Sequence, residues 1–297
     1  MSHAVYVYGE RVMTTSLTRW QVWTTIAIIV LSIVSTLLGL VRPDHYRDHP
    51  DFLTALYVQD LTILLVGVPV LVLGCWFAAR GSLRGYVVWL GALAFMTYVW
   101  ATIAFSVAWN EFFLGYVALF GLSLFALVSG FASIDADAVY REVHGQLSPI
   151  VYSGFLWVIA LGLALLWLGD YVPPMLEGAP PTLVEELGES SGVSAAIDLA
   201  VVVPALAVAG LWLWQRRPWG YVVGVVVLML GALLTPTITG MTVVLVMEGE
   251  ITVSVWVLVF TMLPLVIAAV LAIRFLLAFG GSPPREPADG VASAGGG

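Results

Sequence analysis

The sequence predicts an all-α integral membrane protein: eight transmembrane helices, arranged as a parallel 4+4 internal repeat, with both termini on the cytoplasmic side. Three observations carry this reading. Only 10% of the 297 residues are charged and 61% are apolar, whereas soluble domains carry about 25% charged residues and need them to cover a wet surface. The few charges are segregated, so they leave eight uncharged runs of about the 20 residues needed to cross roughly 30 Å of hydrocarbon. The basic residues, all arginine, also fall unevenly between alternate loops.

The first run is Trp20 to Val41, between Arg19 and Arg42, and the second is Leu61 to Ala79, between Asp60 and Arg80. Next come Gly85 to Asn110, Phe112 to Ile134 and Pro149 to Gly169. The sixth opens near Ala195 and ends before Arg216, the seventh is Pro218 to Met247, and the eighth is Ile251 to Ile273, continuing to about Phe279. The first run is too long for the apolar region of a signal peptide, and no small-residue cleavage site follows it, so it is expected to be an uncleaved anchor. With the N-terminus inside, the inner segments hold nine arginines and the outer loops only Arg42 and Arg47. The positive-inside rule then fixes the orientation.

The resulting organisation is an inner segment 1–19, a first membrane half 20–134, an inner connector 135–148, a second membrane half 149–279 and a C-terminal tail 280–297. The tail is rich in Gly, Pro and Ser and is expected to be disordered. The connector around SIDADAVYREVHG at 133–145 reads as a short surface helix with an acidic first turn. Trp20, Trp109, Trp167, Trp214 and Trp219 fall at the ends of spans, where aromatic belts sit.

A shift of 135 residues aligns Val68–Ile103 with Val203–Ile238, with ten identities in 36 positions. They include Pro69 with Pro204 and the Gly-Tyr-Val-Val of 85–88 with that of 220–223. The copies fall on the second and third spans and on the sixth and seventh, an even offset, so both have the same orientation. That pattern predicts a duplication about an axis along the membrane normal. Gly67/Gly74 and Gly224/Gly231 recur at seven residues and predict close helix contact.

The Asp-Leu pairs at 60–61 and 198–199, RGSLRGY at 80–86 and RRPWGY at 216–221 resemble a family of prokaryotic multi-pass membrane proteins of unknown function. The resemblance implies residence in a prokaryotic plasma membrane. It carries over no activity and no site residues.

Several chemistries are excluded outright. The chain has no lysine, so no retinal or pyridoxal Schiff base and no P-loop lysine can form. His3, His45, His49 and His144 all lie in loops or tails, which leaves no ligand pair for a transmembrane haem. One cysteine, Cys75, allows no disulfide or CxxC pair. No nucleophile elbow, HExxH, Walker motif or GxGxxG is present, so no enzyme signal arises, no cofactor is expected, and nothing basic or clustered points to nucleic acid.

The candidate ligand-binding residues are Asp60, Asp198, Asn110, Glu111, Thr237 and Thr239. Asp60 and Asp198 stand at the predicted outer starts of the second and sixth spans. There a carboxylate caps orphan amides and complements the helix dipole; alternatively, the two form a pseudo-symmetric pair facing an outward-opening cavity. Asn110 and Glu111, at another outer turn, reach the same vestibule in that second reading. The stretch Thr235-Pro236-Thr237-Ile238-Thr239-Gly240 predicts a break in the seventh span, with Thr237 or Thr239 nearer the cavity floor. His45 and His49, four residues apart, are weak metal candidates because no third ligand is spaced nearby. The leading functional expectation is a permease-like transporter of a small solute. The rival is a non-transporting sensor or assembly component that binds a membrane partner through its loops.

Overall fold

The structure, a computed structural model, describes residues 16–181, 184, 192–248 and 255–280. The expectations for the ends of the tail and the N-terminal segment lie outside those residues. Nine helices are defined here in chain order. They are α1 (Arg19–Val41), α2 (Pro50–Thr62, continuing through a π-helical turn at Ile63–Gly67 into Val68–Ala79), α3 (Leu83–Ser106), α4 (Phe113–Ser133) and α5 (Ala136–Val143). After them come α6 (Pro149–Glu177), α7 (Val193–Ile197, continuing through a π-helical turn at Asp198–Val202 into Val203–Trp214), α8 (Pro218–Glu248) and α9 (Val255–Ala278). No strand occurs among the described residues.

Seven helices among the described residues are long and apolar enough to cross a membrane: α1 to α4, α6, α7 and α8. The eighth expected span is the helix α9, whose wholly described apolar stretch is Met262–Ala278. The outside of the bundle is itself apolar. Leu114 and Leu176 are 76% and 83% exposed, a cost in water that lipid contact removes. The fold is that of a multi-pass membrane protein.

Side-chain sorting in α1 runs opposite to that of a water-soluble helix. Its buried face carries Gln21, Thr24, Thr25, Ser32, Ser35, Thr36 and Gly39, while Trp23, Val30, Leu37 and Val41 face outward. Small and hydroxylated residues let helices approach closely and bond across the seam. Thr18 and Gln21 close a reciprocal capping box at the start of α1. Gln21 Nε2 also donates to Ser129 Oγ of α4 at 3.1 Å, and Trp89 Nε1 of α3 donates to Thr25 Oγ1 at 2.9 Å.

The centre of the molecule is built on α3 and α8, which lie against each other. Trp89, Trp100, Phe95 and Leu93 of α3 have no exposed surface, and Val222 and Val225 of α8 likewise. Around them, α2 and α4 pack on α3 and α1 packs on α4 and α2, while α7 and α9 flank α8 and α6 packs on α7. The short helix α5 is capped by Asp135, whose Oδ1 accepts from Ala138 N at 3.0 Å. It buries Ala136, Val139 and Val143 on the ends of α8 and α9. The connector is therefore the surface helix that its charge pattern predicts.

The two π-helical turns stand 135 residues apart, at the offset of the sequence match, and each is followed by proline, Pro69 or Pro204, at the second position of the next segment. Proline cannot donate to the ladder, and a widened i→i−5 turn absorbs the mismatch: Val68 N bonds Ile63 O, and Val203 N bonds Asp198 O. The correspondence continues beyond the turns. Gly81 (φ 83°) and Arg216 (φ 55°) both take left-handed backbone. Ser82 N bonds Phe77 O at 3.1 Å, and Arg217 N bonds Trp212 O at 2.8 Å. A Cβ on Gly85 or on Gly220 would collide with the same two registered positions, Phe77–Ala78 or Trp212–Leu213.

Helix ends and interruptions differ from expectation in three places. Asp60 and Asp198 are not helix starts: α2 begins at Pro50 and α7 at Val193. The uncharged run marks where the apolar face becomes continuous, not where hydrogen bonding begins, so both aspartates lie inside helices and neither caps one. Second, α6 runs on to Glu177 through Pro173 and Pro174, ending at Gly178 with φ 72°. Third, α8 is continuous through Pro236. Thr235 Oγ1 donates to Gly231 O at 3.0 Å, and the irregular turns fall in α2 and α7 instead.

Candidate functional site

The two aspartates occupy separate surroundings. Asp60 sits three residues before its π turn, and Asp198 is the first residue of its own, so in the 135-residue register they are almost one helical turn out of step.

Asp60 is fully buried. Its Oδ2 accepts from the Tyr46 hydroxyl at 2.8 Å, while its Oδ1 has no hydrogen-bond partner. The pair fits only because residue 39 of α1 is glycine: a Cβ there would overlap Asp60 Oδ2 and lie 2.7 Å from Tyr46 Cε2. Around them the 42–49 loop and the 107–112 turn are laced together. His45 Nε2 meets the Tyr116 hydroxyl at 2.9 Å, and Asn110 Nδ2 donates to the same hydroxyl at 3.2 Å. Asn110 Oδ1 accepts from Phe112 N at 2.9 Å and Asp48 Oδ1 from Ala108 N at 2.7 Å. Trp100 stacks on Tyr116.

At the surface of this cluster Glu111 accepts from Arg47 at 2.7 Å, with Arg42 at 3.9 Å. Glu111 is held below the usual carboxylate range, by backbone hydrogen bonding first and by Arg47 next. Burial pushes Asp48 up, and burial, helped by Arg42, pushes His45 down. Asn110 and Glu111 therefore join the Asp60 side, one as a buried hydrogen-bond donor and one as an exposed ion-pair partner. His45 and His49 share no helix face, because residues 42–49 form turns and bends, and His45 is spent on Tyr116. Among the described residues no group of three His, Cys, Asp or Glu side chains converges.

Asp198 has a different setting. Its Oδ2 accepts from Trp167 Nε1 of α6 at 2.9 Å, and the Tyr98 phenol of α3 interacts with the same carboxylate. It opens onto a cavity of about 170 Å³ bordered by α3, α6, α7, α8 and α9. The walls include Phe155, Ile159, Val202, Leu228, Gly231, Leu234 and Pro264. Asp198 and Tyr98 are the polar side chains among the described residues that line it. Asp60 does not line it.

The threonines of α8 flank the cavity wall without forming its floor. Ile238 is the lining residue, while Thr237 is buried with Oγ1 unpartnered and Thr239 Oγ1 contacts Met262 Sδ at 3.2 Å. Sequence reading missed Tyr46, Tyr98, Tyr116, Trp167 and Gly39. Trp167 reads as a belt residue, yet its indole N–H serves a buried carboxylate. The available signal was that a Tyr or Trp within an uncharged span needs a hydrogen-bond partner, and the aspartates are the partners at hand.

The architecture and this pair of buried carboxylates define an α-helical multi-pass membrane protein with one intramembrane acid at an apolar cavity. No protein-family model matches the chain, and neither a curated protein nor a solved structure shows significant similarity to it.

Proposed function

We propose that the chain is a permease-like protein that takes a small solute into the cavity beside Asp198 and carries it across the membrane. The observation that carries the reading is that cavity. It lies where helices of the second half meet α3 of the first, and its wall contains a carboxylate set by a π-helical turn. Ionisable groups inside a span are costly and concentrate at ligand and ion pathways. Single-turn π bulges inside helices occur often at functional sites. A volume of about 170 Å³ matches a compact organic molecule, since an apolar cavity of about 150 Å³ accepts benzene.

The same reading takes α9 as the eighth span, places both termini inside on the arginine asymmetry, and puts the protein in a prokaryotic plasma membrane beside the family it resembles. A parallel duplication is supported by the matched π turns, left-handed residues and glycine contacts at one offset. The rival, a non-transporting component that binds a membrane partner, draws on the outer-loop cluster. There Arg42, Arg47, Glu111 and Trp109 form a cross-tied surface.

Proteoliposomes loaded with the purified chain decide between them. Uptake of radiolabelled compact solutes (an amine, an alcohol and a carboxylate of similar size) is measured beside a Gly231→Val variant that fills the cavity. Saturable uptake of any one, lost in the variant, supports transport. Uptake no faster than in protein-free vesicles for all three overturns it.

A further inference from the structure

We infer that the occupant of the Asp198 cavity is a compact amine: one ammonium group on an apolar body of about six to eight non-hydrogen atoms. The inference rests on the solute reading above and names the class of solute.

The size limit follows from the volume of about 170 Å³, scaled from a six-carbon ring held in about 150 Å³. The polarity limit follows from the lining. Apart from Asp198 and Tyr98, the described lining residues offer only hydrocarbon. A sugar or other polyol would leave several hydroxyls unpaired, and each buried unpaired group carries its full desolvation penalty. An anion would meet a carboxylate with no basic residue in the described lining.

The head group must be a donor. Asp198 already accepts from Trp167 at its Oδ2, at 2.9 Å, and interacts with the Tyr98 phenol, but a carboxylate has about four acceptor sites. The remaining sites can receive N–H groups from a ligand. An ammonium fits better than a hydroxyl because charge-assisted hydrogen bonds are about twice as strong as neutral ones. Asp60 does not line this cavity, and at its Oδ2 the Tyr46 hydroxyl and the close approach of Gly39 fill the space.

The experiment is equilibrium binding by calorimetry on the purified full chain in detergent, with cyclohexylamine, cyclohexanol and cyclohexanecarboxylate as probes. Cyclohexylamine is expected to bind at least tenfold more tightly than cyclohexanol, with no binding of the carboxylate. Asp198→Asn, which keeps an acceptor for Trp167, should weaken cyclohexylamine by about tenfold or more. Gly231→Val, whose new Cβ meets only Ala268 at 3.4 Å and whose methyls enter the cavity, should abolish binding. Cyclohexanol binding as tightly as cyclohexylamine overturns the amine assignment while leaving the cavity site. Amine binding unchanged in both variants overturns the site, as does no binding of any probe to the folded chain. Amine binding without uptake in proteoliposomes overturns transport and leaves this inference standing.

Discussion

Replacing Gly39 by alanine tests the buried Asp60–Tyr46 pair most sharply, because intrinsic propensity and packing predict opposite signs. In an ordinary helix interior, Gly→Ala stabilises by about 0.5–1 kcal/mol. Here the new methyl would overlap Asp60 Oδ2 and sit 2.7 Å from Tyr46 Cε2 and 2.9 Å from its hydroxyl. Relief requires moving Asp60 or Tyr46, which costs the hydrogen bond between them, about 0.5–1.5 kcal/mol. Overpacking adds about 1–3 kcal/mol. The net expectation, after the propensity gain is subtracted, is a destabilisation of about 0.5–4 kcal/mol. Reversible unfolding in mixed micelles would measure it, with Tyr46→Phe and the double variant completing a cycle. The double variant should be less destabilised than the sum of the singles, since one lost hydrogen bond is then counted once. A Gly39→Ala protein as stable as the parent, or strict additivity, would refute the reasoning.

Four further outcomes follow from the structure. Trp167→Phe removes the donor to Asp198 Oδ2 and should cost about 1–3 kcal/mol in the same unfolding assay; an unchanged midpoint contradicts that bond. Gly74→Ala would drive a Cβ to 2.7 Å from Trp89 N and 2.8 Å from its Cα, backbone that cannot step aside, for a loss of about 1–3 kcal/mol. Gly154→Ala, with nothing within 4 Å, should be neutral or stabilising by up to about 1 kcal/mol. His45 is held below its ordinary 6.5 by burial, then by Arg42, so below that pH the unfolded chain gains a proton that the folded chain resists. Its contribution to stability is therefore complete above about pH 6.5 and falls as pH drops towards the folded value. Thermal midpoints from pH 8 to pH 5.5 should decline more steeply in the parent than in His45→Gln, and parallel curves would contradict this.

The membrane class was legible because charge scarcity and run length respond directly to the hydrocarbon slab. The same signal misplaced Asp60 and Asp198 at helix starts, since an uncharged run ends at the first charge whether or not the helix does. The segment from Pro50 to Gln59 is helical, and no hydropathy boundary marks that. The 135-residue match pointed to a shared layout, and both copies share a π turn before the proline. Proline was read as a helix interrupter only in α8, where the ladder runs on and the Thr235 hydroxyl bonds Gly231 O. The separation of Asp60 from the Asp198 cavity was not legible. Which helix face meets which neighbour depends on close contacts such as Gly39 against Asp60 and Gly91 against Met229, and no spacing along one chain encodes such pairings. Tyr98 and Trp167 were invisible for a related reason: each is an unremarkable aromatic until an aspartate from another helix is placed beside it.

The claim that a solute occupies the Asp198 cavity is tested most directly by native mass spectrometry of the chain purified in mild detergent, comparing the parent with Asp198→Asn and Gly231→Val. The account predicts a parent population heavier by one small molecule, released on collisional activation as a positively charged ion, and both variants at the bare-chain mass. A bound small molecule that persists unchanged in both variants, or a parent that binds no added cyclohexylamine under the same conditions, would contradict it.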